Sequence, residues 1–320
     1  TYKDQQVFGK TFTISGTTIT TGGQFSVRGG PSQSEQPHNA YMGKSGSSHY
    51  FVAAYNYEGT NPDGGFARII KHDGQNNVTV GAEAGFEASY SDPANICCAG
   101  ISDTKCIIFW TDDGSKLKSA VGTRSGTNIT FGTAVTLSTQ GINYVDACYD
   151  PVNDRVVVTY LGGGVCRSQV CTITGTNLSA GGEVNFDSGG TQATAVRATP
   201  TGEILISYAD ANSSGSGNWG THILGTYNAT KTQLSFGSSS VWRNVRVTQI
   251  HMAQMDGGRF CMAYKEDEST FNNDGRAVVR QTASTDLSAK NFIGFSSAGY
   301  SDGNTATINV LGNTTTQSGL

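Results

Sequence analysis

The sequence predicts an all-β propeller of four-stranded antiparallel blades, five in number, and three observations predict it. Only 14% of the 320 residues are charged and 42 are Gly, amid abundant Ser, Thr and Asn, far from the Ala, Glu, Lys and Leu mixture that long helices need. A block of polar turn, charged residue, four largely apolar positions and one aromatic recurs along nearly the whole chain. Between copies of the block, short alternating runs flank Ser-Gly or Thr-Gly turns, a hairpin signal.

In chain order, residues 7–27 come first, from Val7-Phe8-Gly9 through Thr13-Ile14-Ser15-Gly16-Thr17-Thr18-Ile19-Thr20, and match only a third and a fourth strand. A loose copy of the block follows at Ser48-His49-Tyr50-Phe51-Val52-Ala53-Ala54-Tyr55. Clear copies are Asp103-Thr104-Lys105-Cys106-Ile107-Ile108-Phe109-Trp110, then Asn153-Asp154-Arg155-Val156-Val157-Val158-Thr159-Tyr160. Two more end at Tyr208, from Thr201, and at Tyr264, from Gly257. The aromatic anchors Tyr55, Trp110, Tyr160, Tyr208 and Tyr264 are 55, 50, 48 and 56 residues apart. Seven residues before the charged position, Cys98, Cys148, Val196 and Met252 mark a preceding strand. After the anchor come a third strand, a turn and a fourth strand, as in Ser119 to Thr123, Ser125-Gly126-Thr127-Asn128 and Ile129-Thr130-Phe131.

Each unit is thus a meander of about 50 residues, the size of a propeller blade. A lone meander leaves both faces uncovered, and face-to-face stacking with radial closure hides them all. The last repeat, from Val247 to Thr282, shows three strands, so the N-terminal segment is expected to complete the final blade and close the ring. The count becomes six if residues 7–27 belong to a blade whose start is missing. A pair of β-sandwiches also uses short, evenly spaced strands but does not account for the four-strand recurrence. The propeller is expected over residues 1–292, and a further small β module or C-terminal extension over 293–320.

A net charge of −4 with no Lys/Arg-rich run argues against nucleic acid as a partner. No apolar stretch reaches the roughly 18 residues of a membrane span. The chain opens at Thr1 without Met and stops at Leu320 in mid-pattern, which reads as a processed product or a piece of something longer. Seven cysteines, several inside apolar runs, read as reduced, buried thiols. Cys98 and Cys148 are expected at equivalent places on adjacent blades, about 10 Å apart, too far for the roughly 5.5 Å Cα separation of a disulfide.

No G-x-S-x-G, P-loop or H-E-x-x-H motif is present, and the five histidines have no ligand-like spacing. No catalytic residue, metal or cofactor is expected. A propeller glycoside hydrolase or sialidase is the enzyme alternative, yet Thr111-Asp112-Asp113-Gly114 has the wrong spacing for an S-x-D-x-G-x-x-W turn and the arginines are scattered singly. One constellation suggests ligand binding. Asp112, with Asp113 beside it, Asp210 and Glu266 lie two residues past their anchors and open second-to-third-strand loops, which the repeat places on one face. The two longest of these loops, Ala209 to Gly220 and Lys265 to Gly275, contain Trp219 and Phe271. Aromatics beside acids suit carbohydrate, by stacking and hydrogen bonding; Asp and Asn also simply make turns.

The run Val121-Gly122-Thr123-Arg124-Ser125-Gly126-Thr127-Asn128-Ile129-Thr130-Phe131-Gly132-Thr133-Ala134-Val135 and the run Tyr144-Val145-Asp146-Ala147-Cys148-Tyr149-Asp150 resemble the tandem repeats of tail-fibre-like virion proteins of marine tailed bacteriophages. Asp286 to Ser296 resembles the segment that leaves the repeat region in that family. The outer hairpins depart from the pattern at Asn76-Asn77-Val78-Thr79-Val80 and Tyr227-Asn228-Ala229-Thr230. The resemblance implies a non-enzymatic virion appendage at the particle surface. Other virion proteins and a host-surface glycan or receptor would be its partners, and homo-oligomers are compatible with it. A glycan-binding adhesin or lectin-like propeller is the alternative.

Overall fold

In the computed structural model the described residues are 7–15, 18–28, 33–58, 64–74, 77–88, 93–112, 115–189, 191–211, 217–255, 258–268, 271–281, 295–296, 306–310 and 313–317. The fold is all-β, with no α-helix among them. The chain divides after Arg280 into two units. The first opens with a hairpin, β1 (Val7–Ser15) and β2 (Thr18–Arg28), that forms a two-stranded sheet of its own. The first of the four-strand repeats follows, each repeat being numbered as a blade purely as a label: blade one has β3 (Gln33–Ser45), β4 (Ser48–Glu58) and β5 (Gly64–His72), and a fourth strand broken into β6 (Val78–Val80) and β7 (Ala84–Ala88), both paired to β5.

Blade two repeats this order with β8 (Ala94–Ser102), β9 (Lys105–Thr111), β10 (Leu117–Ser125), β11 (Asn128–Phe131) and β12 (Val135–Ser138). Blade three has β13 (Ile142–Asp150), β14 (Arg155–Gly162), β15 (Val165–Thr174), β16 (Asn177–Ala180) and β17 (Val184–Asp187). Blade four has β18 (Thr191–Ala198), β19 (Ile204–Asp210), β20 (Trp219–Tyr227), β21 (Leu234–Phe236) and the start of β22 (Ser240–Gln254). The rest of β22 is the first strand of blade five, with β23 (Arg259–Glu268) and β24 (Phe271–Gln281) after it. The second unit carries a separate three-stranded sheet of β25 (Phe295–Ser296), β26 (Ala306–Val310) and β27 (Asn313–Gln317). The expected exit at 292–293 lies outside the described residues.

The second strand of each blade is apolar at consecutive positions because both its faces are covered. Every residue from Cys106 to Trp110 is 0% exposed. Cys106, Ile108 and Trp110 share a core with blade one, and Ile107 and Phe109 share one with blade three. The same period-2 alternation sends the neighbours Cys97 and Cys98 into different cores. All seven cysteines are free, and six are buried. Burial holds the Cys97 and Cys98 thiols well above their ordinary pKa and pushes Cys171 up to about 12.

Adjacent blades are joined through a bulge in the fourth strand. In blade two Leu117 pairs with Ser138 and Lys118 with Thr136, which leaves Leu137 out of the ladder. The same slip ejects Phe86, Phe186, Trp242 and, in the N-terminal hairpin, Val27. Each ejected residue meets the anchor of the following blade. Ring centroids are 4.9 Å apart for Phe86 and Trp110, 5.3 Å for Phe186 and Tyr208, and 4.9 Å for Trp242 and Tyr264. Leu137 shares a core with Tyr160, and Val27 with Tyr55. Where the ejected residue is Phe86 or Trp242, the opposing position is Gly65 or Gly220, and the ring leaves no room for a Cβ there.

The first strands lie side by side in chain order, β3 on β8, β8 on β13, β13 on β18 and β18 on β22. No strand pairing links them, so side chains take up backbone donors across the boundaries. Cys98 N donates to His38 Nδ1 at 3.2 Å, Tyr144 N to Asn95 Oδ1 at 3.1 Å, and Val196 N to Asp146 Oδ2 at 2.9 Å.

Two expectations change. Residues 7–27 do not join the last blade among the described strands: β1 and β2 pair with one another in a sheet of their own, and β24 is paired with β23 alone. Cys148 is not the counterpart of Cys98. Opposite the position two before the anchor stand Asn39, Cys98, Ala147, Val196 and Met252. Blade three joins its first two strands through the four-residue turn from Pro151 to Asp154, whereas blade two uses a tight turn with a bulge; this shifts the register by one.

Two outcomes follow from this packing. A thiol reagent should label Cys261, the one cysteine that is only partly buried, in the native protein, and the other six only on unfolding; rapid native labelling of several would contradict the sheet faces assigned above. His38 provides the second. Burial most of all, then the charges of Arg197 and His251, hold it below the ordinary imidazole value, with Asp146 pulling the other way. Unfolded, it titrates near 6.5, so between the folded and unfolded values the unfolded chain binds more protons and stability falls as pH drops below about 6.5. His38→Asn supplies an acceptor that does not titrate and should flatten that acid-side fall in urea midpoints; equal slopes would remove His38 as its source.

Candidate functional site

The residues singled out from sequence fall in two places. Asp112 is held in the β9–β10 turn: its Oδ1 accepts from Lys116 N at 2.9 Å, its carbonyl from Ser115 N at 2.7 Å, and its Oδ2 lies 3.5 Å from Lys118 Nζ. Asp113 lies outside the described residues. Asp210 and Trp219 are not in a loop but opposite one another in the β19–β20 ladder, with Arg246 of β22 opposite Trp219 on its other side. Glu266 lies within β23, 0% exposed and opposite Val247. Its Oε1 accepts from Arg243 Nε at 2.9 Å, and its Oε2 lies 2.9 Å from Arg276 Nε. Phe271 is the first residue of β24.

Asp210, Trp219 and Glu266 therefore gather at the boundary of blades four and five, while Asp112 serves a turn in blade two. The singly scattered arginines are also corrected, since Arg243 and Arg276 converge on one buried carboxylate. In sequence Arg243 belongs to the outer strand of one blade and Glu266 to the second strand of the next. Only the uninterrupted β22 brings them together.

A second constellation was not anticipated from sequence. Each first strand carries its own bulge, where the register slips between Glu35 and His38, Ala94 and Cys97, Asn143 and Asp146, Thr191 and Thr194, and Thr248 and His251. Asn95, Tyr144 and Gln249, each left out of the ladder, have φ of 49°, 52° and 51°. Asn adopts the left-handed region readily, whereas a Tyr or Gln there costs on the order of 1 kcal/mol. At Tyr144 the neighbouring blades impose it: the N–H is taken by Asn95 of blade two, and the carbonyl accepts Thr194 Oγ1 of blade four at 2.7 Å.

The bulge leaves Tyr144 42% exposed. With Val145, Thr194, Thr248, Gln249, Ile250 and His251 it lines a recess of about 410 Å³ among blades three, four and five. Beneath it Asp146 is committed to Arg197 Nη1 at 2.9 Å as well as to Val196 N. No group of three or more His, Cys, Asp or Glu able to hold a metal occurs among the described residues. The recess offers an aromatic ring, the Thr248 hydroxyl, an amide and an imidazole, a set that holds a polar ring-shaped ligand by stacking and hydrogen bonding. The sequence signal that could have found it is the polar or aromatic residue, Asn95, Tyr144 or Gln249, at nearly the same distance before three of the anchors, Trp110, Tyr160 and Tyr264.

No family model matches the chain, and no curated protein matches it in sequence. Solved structures do resemble it. A protein of unknown function from Dyadobacter fermentans is 11% identical, with a TM-score of 0.49 over 75% of this chain and 78% of that one. The leech intramolecular trans-sialidase is 10% identical, with a TM-score of 0.47 over 87% of this chain and 42% of that one. The SapL1 lectin, solved with alpha methyl fucoside, is 11% identical, with a TM-score of 0.44 over 80% of this chain and 82% of that one. With TM-scores below 0.5, these likenesses leave the functional reading to the chain's own residues.

Proposed function

We propose that the chain is a carbohydrate-binding module of propeller type and that the recess around Tyr144 is its sugar seat. One observation carries this reading: a bulky aromatic is held at φ 52° by both neighbouring blades and stands 42% exposed beside Thr194, Thr248, Gln249 and His251. Strain of this kind persists only where the surroundings over-determine it, and it clusters at ligand sites. A ring turned out of a ladder offers the flat face against which a pyranose stacks. The recess is open and of ligand size, which suits a short glycan segment.

Binding is proposed rather than hydrolysis because the acid nearest the recess along these strands, Asp146, is already engaged by an arginine and a backbone amide. Glycoside hydrolysis uses two carboxylates facing one bond. On the resemblance to virion appendage repeats, the module would stand at a particle surface and its ligand would be a host-surface glycan.

A glycan array should identify a ligand, and titration calorimetry should then rank variants. Tyr144→Ala should weaken binding at least about tenfold, on the order of the 1.4 kcal/mol that a lost stacking contact is worth, while Tyr144→Phe retains most of it. Trp219→Ala, at the blade four and five boundary, should bind as the parent does. A ligand unaffected by Tyr144→Ala and lost with Trp219→Ala would move the site to that boundary.

A further inference from the structure

One of the strands that line the recess carries an arginine whose recognition edge is unused. Arg197 of β18 donates from Nη1 to Asp146 Oδ2 at 2.9 Å and to the carbonyl of Val196. Its Nε and Nη2 donate to nothing among the described residues, although 27% of the side chain is exposed. The counterpart of Asp146 on β18 is Ala195, two residues before Arg197. To meet Asp146, the Arg197 side chain therefore runs back towards the bulged end of its strand, where the recess opens.

A second group at this level is uncommitted. Opposite the residue one before each anchor stand His38, Cys97, Asp146, Ala195 and His251. His38 and Asp146 each accept a backbone N–H of the next first strand, from Cys98 and Val196. His251 instead is exposed and lines the recess, with no hydrogen bond among the described residues. After burial, and against the pull of Asp146, the charges of Arg197 and His251 both lower the value of His38 in blade one, which puts the two groups in one neighbourhood.

No free acid on these strands opposes a negative ligand. β13, β18 and β22 carry two carboxylates, Asp146 and Asp150, and three arginines, Arg197, Arg243 and Arg246. Asp146 is paired with Arg197, and Asp150, 0% exposed, accepts Val152 N at 2.9 Å and Asn153 Nδ2 at 2.7 Å.

Resting on the sugar seat proposed above, we infer that the glycan it takes is acidic: a uronate ring stacks on Tyr144 and turns its carboxylate to His251 and to the Nε–Nη2 edge of Arg197. That edge presents two parallel N–H groups that match the two oxygens of a carboxylate, and engagement of Nη1 by Asp146 leaves it intact. The imidazole adds a further donor.

The probes are short oligogalacturonates and oligoglucuronates, each beside its methyl ester, which keeps the ring and removes the charge. Calorimetry on the full chain should find one of the acids bound at least about tenfold more tightly than its ester, as charge-assisted hydrogen bonds provide. Arg197→Lys keeps a cation opposite Asp146 but loses the fork, and should bring the acid-to-ester ratio close to one. His251→Ala, at an exposed position and with the fold checked by circular dichroism, should narrow the ratio several-fold. Equal affinity for acid and ester, with both lost in Tyr144→Ala, would overturn the inference and leave the sugar seat standing. Acid binding that survives Tyr144→Ala would sink the seat as well. A ratio unchanged in both Arg197→Lys and His251→Ala would overturn the assignment of the carboxylate to these two groups.

Discussion

One contact, repeated at each boundary, organises the first unit: a large apolar residue expelled from a fourth strand by a bulge is received against the aromatic anchor of the next blade's second strand. A four-stranded meander alone is marginal, because its apolar residues face both ways. Each ejected side chain, once covered, contributes about 1.5–3 kcal/mol, against a typical net stability of about 5–15 kcal/mol for a whole domain. Blade-to-blade packing, more than hydrogen bonding within sheets, therefore sets the near-constant spacing of the anchors. It also explains the paired small residues, since Gly65 and Gly220 exist to seat Phe86 and Trp242.

The first strands answer to a different demand. They crowd together without a shared ladder, so backbone donors that would go unpaired are met by His38, Asn95 and Asp146 reaching across. The inner bulges make this reach geometrically available, and they also turn Tyr144 outward. The candidate site thus follows from how the blades are joined, and Thr248, Gln249 and His251 around that ring are the part free to vary with ligand.

The blades were legible because their block puts apolar residues on both faces of a second strand and ends it in an aromatic, a pattern no surface strand carries. The fate of residues 7–27 was half legible: their identity as third and fourth strands could be read, but not that among the described strands they would pair only with one another. Cys148 was misread by one position because the turn from Pro151 to Asp154 is longer than its counterpart, and a one-residue slip reverses which face a side chain takes. The acids looked like loop residues because β19 and β23 run further than their apolar cores. Tyr144 was missed because a bulge that a polar or aromatic residue fills has no local signature like that of glycine.

β22 serves two sheets at once, as an outer piece of blade four to Arg246 and the first strand of blade five from Val247. Between blades two and three, residues 139–141 separate these roles and can absorb a change of angle. In β22 a pull on one sheet is transmitted along a continuous peptide to the other, so blades four and five should open as a single mechanical element. Damage to the Arg243–Glu266 pair that spans them would then propagate in both directions, towards the recess through Gln249 and His251 and outwards to the sheet edge at β24.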